Sequence, residues 1–180
     1  MKHFHPKKFF FIKCFNTDIE KKLKRHHYIG IIYMPKNNIS LYEVNKILQA
    51  NLTNQIFVSG NFNYISKSKI NGMHLNNDIK KKFNKNYGYG FNYLILSTAY
   101  SLNEVFQKIR QGCDIIFLSN VYKTTSHPER DKFLGLMRFL NIRNQIRNAS
   151  ILPLGGMTKK KYNSLKVLIK NFGYGGVSSF

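Results

Sequence analysis

Acidic residues are scarce in this chain: 8 Asp and Glu stand against 29 Lys and Arg, a formal charge of +21 over 180 residues. Trp is absent, Pro occurs 4 times and Cys twice. Two cysteines, Cys14 and Cys113, are too few for a disulfide framework. Each lies beside an apolar run and reads as a small core residue of a reduced, cytoplasmic protein. Long apolar runs are missing too. The N-terminal patch Phe9-Phe10-Phe11-Ile12 is interrupted by Lys13, far short of the ~18 apolar residues of a membrane span. No small-residue cleavage site follows it, so neither secretion nor a membrane is expected.

What is present is base, aromatics and Asn. Such a charge raises the question of nucleic acid. The excess is dispersed over most segments and is Lys more than Arg, whereas a nucleic-acid footprint gathers into a patch or stripe. Abundant Lys, Asn, Ile, Tyr and Phe with little Ala or Pro is also the set that AT-rich codons encode. Nucleic acid is therefore not the expected partner. Lys80-Lys81-Lys82 and Lys159-Lys160-Lys161 read as solvated helix faces. With 43% hydrophobic residues, the chain can bury one core, and a single domain over 1–180 is expected.

Apolar runs of strand length recur at 9–12, 28–34, 55–59, 70–75, 93–96, 114–118, 151–154 and 176–180. Helical patterns separate most of them. They cover 18–26, with Thr17 or Asp18 as cap, and 40–50, with Ser40 and Glu43 as a capping box. A short helix at best is expected over 62–69, and a short basic one over 78–83. Residues 101–111 carry a Ser101–Glu104 capping box, with Leu102, Val105, Phe106 and Ile109 for burial. In 131–147 the buried set is Phe133, Leu134, Met137, Leu140 and Ile142. From 158 to 171 Thr158 caps the helix, and Leu165, Val167, Leu168 and Ile169 form the apolar face. Strand and helix alternating eight times imply a parallel sheet, and eight units imply a closed (β/α)₈ TIM barrel. It would be a short one, stopping at strand eight without the last helix. A doubly wound sheet is the alternative.

In such a barrel the site lies at the C-terminal ends of the strands. Three endings hold the chemistry. After 115–118 comes a loop with Ser119, Thr124, Thr125, Ser126 and His127. Gly155-Gly156 leads into the helix capped by Thr158, where free N–H groups and the helix dipole suit a phosphate. The same Gly-Gly also reads as a tight turn needing positive φ. The chain closes on Gly175-Gly176-Val177-Ser178-Ser179-Phe180.

These residues resemble the thiamine phosphate synthase/TenI family. Asn71-Gly72-Met73-His74-Leu75 is similar to its Gly-Val-His-Leu strand. Residues 104–122 follow its Glu-Val to Pro-Val-Phe segment without a gap. Thr124-Thr125-Ser126-His127-Pro128 is similar to its Thr-x-Ser/Thr-Lys/His loop, and Leu154-Gly155-Gly156-Met157-Thr158 to its Ile-Gly-Gly-Met-Thr. The resemblance implies coupling of an aminopyrimidine methyl diphosphate to a thiazole phosphate, with loss of pyrophosphate. Thr124 and Ser126 would hold pyrophosphate, with His127 where synthases place a Lys and Thr98 at a Ser of the same site. Gly155 and Gly156 would offer N–H groups to the thiazole phosphate, and Asp78 would serve Mg²⁺. Tyr100 takes the place of the His on which the related thiazole tautomerases rely. His74 is expected on the barrel wall, and Asp114 at the opposite, stability face.

The pattern also departs from the family. Ser59-Gly60 replaces the Asn-Asp after strand three, whose Asp binds Mg²⁺. The Arg of strand two is lost in Ile32-Tyr33-Met34-Pro35-Lys36. A phosphorylated small molecule stays the expected ligand in either case, turned over by a synthase or bound by a degenerate TenI-like member.

Overall fold

Glycine decides how the centre of this molecule packs. A Cβ on Gly30 would stand 2.4 Å from the Phe9 ring, and one on Gly175 would stand 2.9 Å from the Phe11 ring. The space they leave is filled by aromatic rings: Phe9 meets Phe117 at 5.1 Å between centroids, and Phe11 meets Phe117 at 5.1 Å, both edge to face. Phe57 joins them, tilted against Phe9 at 5.9 Å. With Ile32, Leu96, Ile115 and Leu152 they form one buried cluster. Each such ring, fully buried, contributes roughly 1.5–3 kcal/mol.

A computed structural model describes residues 6–35, 40–60, 69–76, 93–124, 133–169 and 173–176. Its strands are β1 (Lys8–Ile12), β2 (Gly30–Tyr33), β3 (Gln55–Ser59), β4 (Gly72–Leu75), β5 (Leu94–Ala99), β6 (Ile115–Leu118), β7 (Ser150–Pro153) and β8 (Tyr174–Gly176). Its helices are α1 (Thr17–Lys24), α2 (Leu41–Ala50), α3 (Leu102–Arg110), α4 (Leu136–Gln145) and α5 (Lys159–Leu168). All strand pairs are parallel, in the order β7-β6-β5-β4-β3-β2-β1-β8. β7 and β8 stand side by side without a ladder between them. Pro153 lies in β7 and has no N–H to give. This is a nearly closed, short (β/α)₈ barrel, and among the described residues no helix follows β8.

The strands are buried on both faces, which is why they read as continuous apolar runs. Alternate residues face inward to the aromatic cluster. The others face the helices: Phe10, Ile12, Ile31, Tyr33, Ile56 and Val58 pack with α1 and α2 residues Leu23, Val44 and Ile47. Met73, Leu75, Ile95, Ala99, Ile116 and Leu118 pack with α3, α4 and α5 residues Val105, Phe139, Ile142, Tyr162 and Leu165.

At the N-terminal face three side chains pin the strand starts. Asn54 Oδ1 accepts from Ile29 N at 3.1 Å, Asn71 Oδ1 from Ile56 N at 2.8 Å, and Asp114 Oδ2 from Ile95 N at 2.9 Å. Asp114 is thus structural, as expected.

Several local expectations are corrected. Asn16, not Thr17 or Asp18, caps α1, its Oδ1 accepting from Ile19 N at 2.9 Å. Ser40 makes no side-chain cap bond, and the Glu43 carboxylate accepts instead from Tyr33 Oη at 2.9 Å. Burial and this carboxylate push the Tyr33 phenol up to about 12. α4 starts at Leu136, since Leu134 N and Gly135 N bond the carbonyls of Asn120 and Val121 and Gly135 has φ 81°. β5 runs on through Ser97 and Thr98, and β8 starts earlier, at Tyr174, where it pairs with Lys8. Phe106, Phe133, Met137, Val167 and Leu168 are exposed, as is Cys14. On α5 the buried positions are Tyr162, Leu165 and Ile169. Lys161 is no solvated charge: its Nζ donates to Gly156 O at 2.8 Å and lies 4.4 Å from the Tyr122 ring centroid. Ser101 does cap α3: Glu104 N donates to Ser101 Oγ at 3.3 Å, and Ser101 Oγ donates to Glu104 Oε1 at 3.2 Å. The helices expected over 62–69 and 78–83 lie almost wholly outside the described residues.

Candidate functional site at the C-terminal end of the barrel

On four neighbouring strands, β3 to β6, the inward-facing file of side chains turns polar at the C-terminal end. Phe57 is followed two residues on by Ser59, Gly72 by His74, Leu96 by Thr98, and Phe117 by Ser119. Strand alternation puts each pair on one face, and the ladders set His74 opposite Ser59 and, through Leu96, beside Thr98. A polar tier therefore lies above the aromatic cluster. Its floor is Phe11, whose ring meets the His74 imidazole edge-on at 5.9 Å.

The tier is hydrogen-bonded as a row. Ser59 Oγ donates to Asn76 Oδ1 and lies 3.3 Å from His74 Nδ1, and His74 Nε2 lies 3.0 Å from Thr98 Oγ1. Ser59, His74 and Thr98 are buried, and Asn76 is at the surface. Burial, with a smaller push from the positive charge of Lys108, takes the imidazole down to about 3, so it is neutral at pH 7. Ser97, facing the other way, donates to Leu75 O at 3.0 Å. Ser119 Oγ donates to the neighbouring Asn120 Oδ1.

The β6 and β7 endings are knitted together. Val121 N donates to Leu154 O at 3.0 Å and Tyr122 N to Gly155 O at 3.2 Å. Gly155 and Gly156 have φ 87° and 63°, and a Cβ on Gly155 would stand 2.9 Å from Asn120 Oδ1. The Gly-Gly is thus a tight turn, and it opens directly on α5. Thr158 caps that helix, its Oγ1 accepting from Lys161 N at 3.3 Å. Thr124, in the adjoining loop, is buried. Thr98, Thr124, Gly155 and Gly156 therefore come to one end of the barrel, on or after three neighbouring strands. Tyr100 reaches the same end, but its ring is exposed, and its backbone N–H donates to Glu104 Oε2 at 3.0 Å. Asp78, Ser126 and His127 lie outside the described residues.

The tier also contains residues that sequence reading assigned no role. Ser59 and Asn76 stand at strand endings where the site is expected, but no ligand or partner was assigned to either. The signal that would have found them is the repeated step from an apolar residue to a polar one two places on, at four strand ends.

The described polar tier contains no carboxylate. Among the described residues no three His, Cys, Asp or Glu gather, and the β3 ending is Ser59-Gly60. Hydroxyl and amide groups suit hydrogen bonds to a ligand, whereas Mg²⁺ demands carboxylates or phosphate oxygens. A cavity of about 210 Å³ lies at the N-terminal face, lined by His26, His27, Thr53 and Asn54 among others. It is on the opposite side from the polar tier.

Known proteins agree with this architecture. The family model described as thiamine monophosphate synthase matches residues 38–178. A curated protein of Aquifex aeolicus (strain VF5), named "Putative thiamine-phosphate synthase 2", is 30% identical over 180 residues, covering 92% of this chain and 89% of that protein. Among solved structures, a thiamine phosphate pyrophosphorylase from Pyrococcus furiosus superposes with a TM-score of 0.69 at 18% identity, covering 96% of this chain and 85% of that one. A structure titled native KDPGal superposes at 0.60 and 10% identity, over 96% and 82% of the two chains. The structural likenesses share the fold. With the family match and the relative beside them, they place a barrel whose polar end is built on His74, Thr98, Thr124 and Gly155-Gly156 in a known group: the chain belongs to the thiamine monophosphate synthase/TenI family.

Proposed function

We propose that this chain is a thiamine phosphate synthase-like enzyme that joins an aminopyrimidine methyl diphosphate to a thiazole phosphate. The observation that carries the reading is the meeting of Thr98, Thr124 and the Gly155-Gly156 turn at the C-terminal end of a barrel of this family. In the reaction, the bond from the pyrimidine methylene carbon to the diphosphate oxygen breaks, and the oxygen leaves with the electron pair. The thiazole nitrogen then gives its lone pair to the carbon. Pyrophosphate is released, and no proton has to move. Such an ionisation needs the leaving charge held by hydrogen-bond donors and cations. Thr124 and Ser126 are proposed to donate to pyrophosphate, with a protonated His127 beside them. The start of α5 and the Gly155-Gly156 turn are proposed to receive the thiazole phosphate, as helix N-termini do for anions. Tyr100 is proposed at the edge of the same mouth. Mg²⁺ enters this reading only through Asp78, and no step is assigned to it. A cytoplasmic site of action belongs to the same reading; no helix among the described residues is long and apolar enough to cross a membrane.

A second reading, a TenI-like member that binds a phosphorylated ligand without turnover, is favoured by one feature. Ser59 and Gly60 end β3, and Ser59 is engaged by Asn76. Purified protein with both precursors and Mg²⁺ separates the two. Thiamine phosphate and pyrophosphate formed in equal amounts support the synthase. Thiazole phosphate bound without coupling supports the binder. Binding of DNA or RNA that falls steeply with salt, in place of either, would favour a nucleic-acid function.

A further inference from the structure

The row Asn76–Ser59–His74–Thr98 has a direction, and the direction decides what Thr98 can bind. His74 is neutral, so one ring nitrogen carries a proton and the other accepts. The Ser59 hydroxyl has one proton, and it is given to Asn76 Oδ1. Toward His74, Ser59 can then only accept, so Nδ1 carries the ring proton across the 3.3 Å contact. Nε2 is left as the acceptor, and the 3.0 Å contact on that side is the Thr98 hydroxyl donating. The one hydroxyl proton of Thr98 is spent inward. What remains is a pair of acceptor sites on an oxygen at the C-terminal end of β5.

We propose that His74, polarised by Ser59 and Asn76, is a positioning residue that fixes Thr98 as a hydrogen-bond acceptor, so that Thr98 takes an N–H or O–H group of the ligand and not a phosphate oxygen. A phosphate or pyrophosphate oxygen offers lone pairs, and two sets of lone pairs repel. Resting on the synthase reading above, the ligand group is the amine of the aminopyrimidine. Pyrophosphate is then left to the donors of the loop after β6. Thr98 thereby moves from leaving-group binding, where the resemblance put it, to recognition of the pyrimidine. Ser59 gains a reason to stand at the end of β3: it sets the ring tautomer.

The tautomer is read in the ligand-free protein by nitrogen-15 NMR of the His74 ring. A proton on Nδ1 with a bare Nε2 is expected; a proton on Nε2 overturns the proposal. Binding is then measured by calorimetry with two probes, an unphosphorylated aminopyrimidine methanol and inorganic pyrophosphate. Thr98→Val should weaken the aminopyrimidine about tenfold, the loss of one hydrogen bond, and leave pyrophosphate within about twofold. Thr98→Ser should restore the first. His74→Phe frees the Thr98 proton, so pyrophosphate should bind several-fold more tightly while the aminopyrimidine changes little. A residue that only supported the fold would weaken both. Loss of pyrophosphate binding in Thr98→Val, with the aminopyrimidine unaffected, overturns the proposal. If the unaltered protein binds neither probe, the synthase reading falls and the amine assignment with it. The polarity of the row is still decided by the tautomer.

Discussion

Gly156 and Lys123 meet backbone to backbone. A Cβ on Gly156 would stand 2.3 Å from the Lys123 carbonyl oxygen, in a residue whose φ is 63°. The loops after β6 and β7 close on each other through this contact. Gly156→Ala should therefore cost about 1–3 kcal/mol, from overpacking and a backbone forced out of its region. It should also part the two loops and weaken binding of thiazole phosphate. Urea unfolding and calorimetry measure the two effects; unchanged stability would contradict the close approach.

The buried imidazole of His74 makes stability depend on pH. Its folded value is pushed down to about 3, while the unfolded chain titrates near ~6.5. Above that unfolded value the group has no effect. As pH falls toward 3, the unfolded state binds the proton first and stability is lost, by roughly 2 kcal/mol at pH 5. His74→Gln should lack this share. Urea midpoints measured from pH 8 to pH 5 for both proteins should diverge toward low pH, and parallel curves would count against a neutral buried ring.

Asp114 acts at the far face. Asp114→Ala leaves the Ile95 N–H without its 2.9 Å acceptor, at a cost of about 1–3 kcal/mol. Asp114→Asn keeps an acceptor oxygen and should lose less. Neither change should alter the affinity for thiazole phosphate, because the proposed site is at the other end of the strands. A binding defect in a folded Asp114→Ala protein would be the surprising result.

For the proposed synthase chemistry, His127 is the informative position. A Lys there carries its charge throughout the neutral range, whereas an imidazole carries it only in part. Coupling by His127→Lys should equal or exceed that of the unaltered protein, and coupling by His127→Ala should be lower. A His127→Ala protein with full activity would remove His127 from the reaction.

Much of the barrel was legible in the chain. Strand runs survive burial on both faces as unbroken apolar stretches, and all eight β-strands overlap or adjoin their expected positions. Helix faces were less legible. Met137 and Val167 fit an apolar stripe yet point outward, 78% and 86% exposed, because a helix rotates to suit the groove that it covers. One expected capping box did not form. Its Glu43 carboxylate accepts from the hydroxyl of Tyr33, a residue ten places away on β2.

By itself, the sequence determined the order of strands and helices, the family, and the glycines and hydroxyls at the strand ends. These are local properties, carried by short runs and by the spacing of a few residue types. The tertiary structure alone decided which side chains share a proton. Ser59, His74 and Thr98 come from three strands, spread over forty residues, and they meet only because parallel ladders set their inward faces in register. Burial then removes the water that would otherwise compete for each bond, and the row acquires a direction that no single segment encodes.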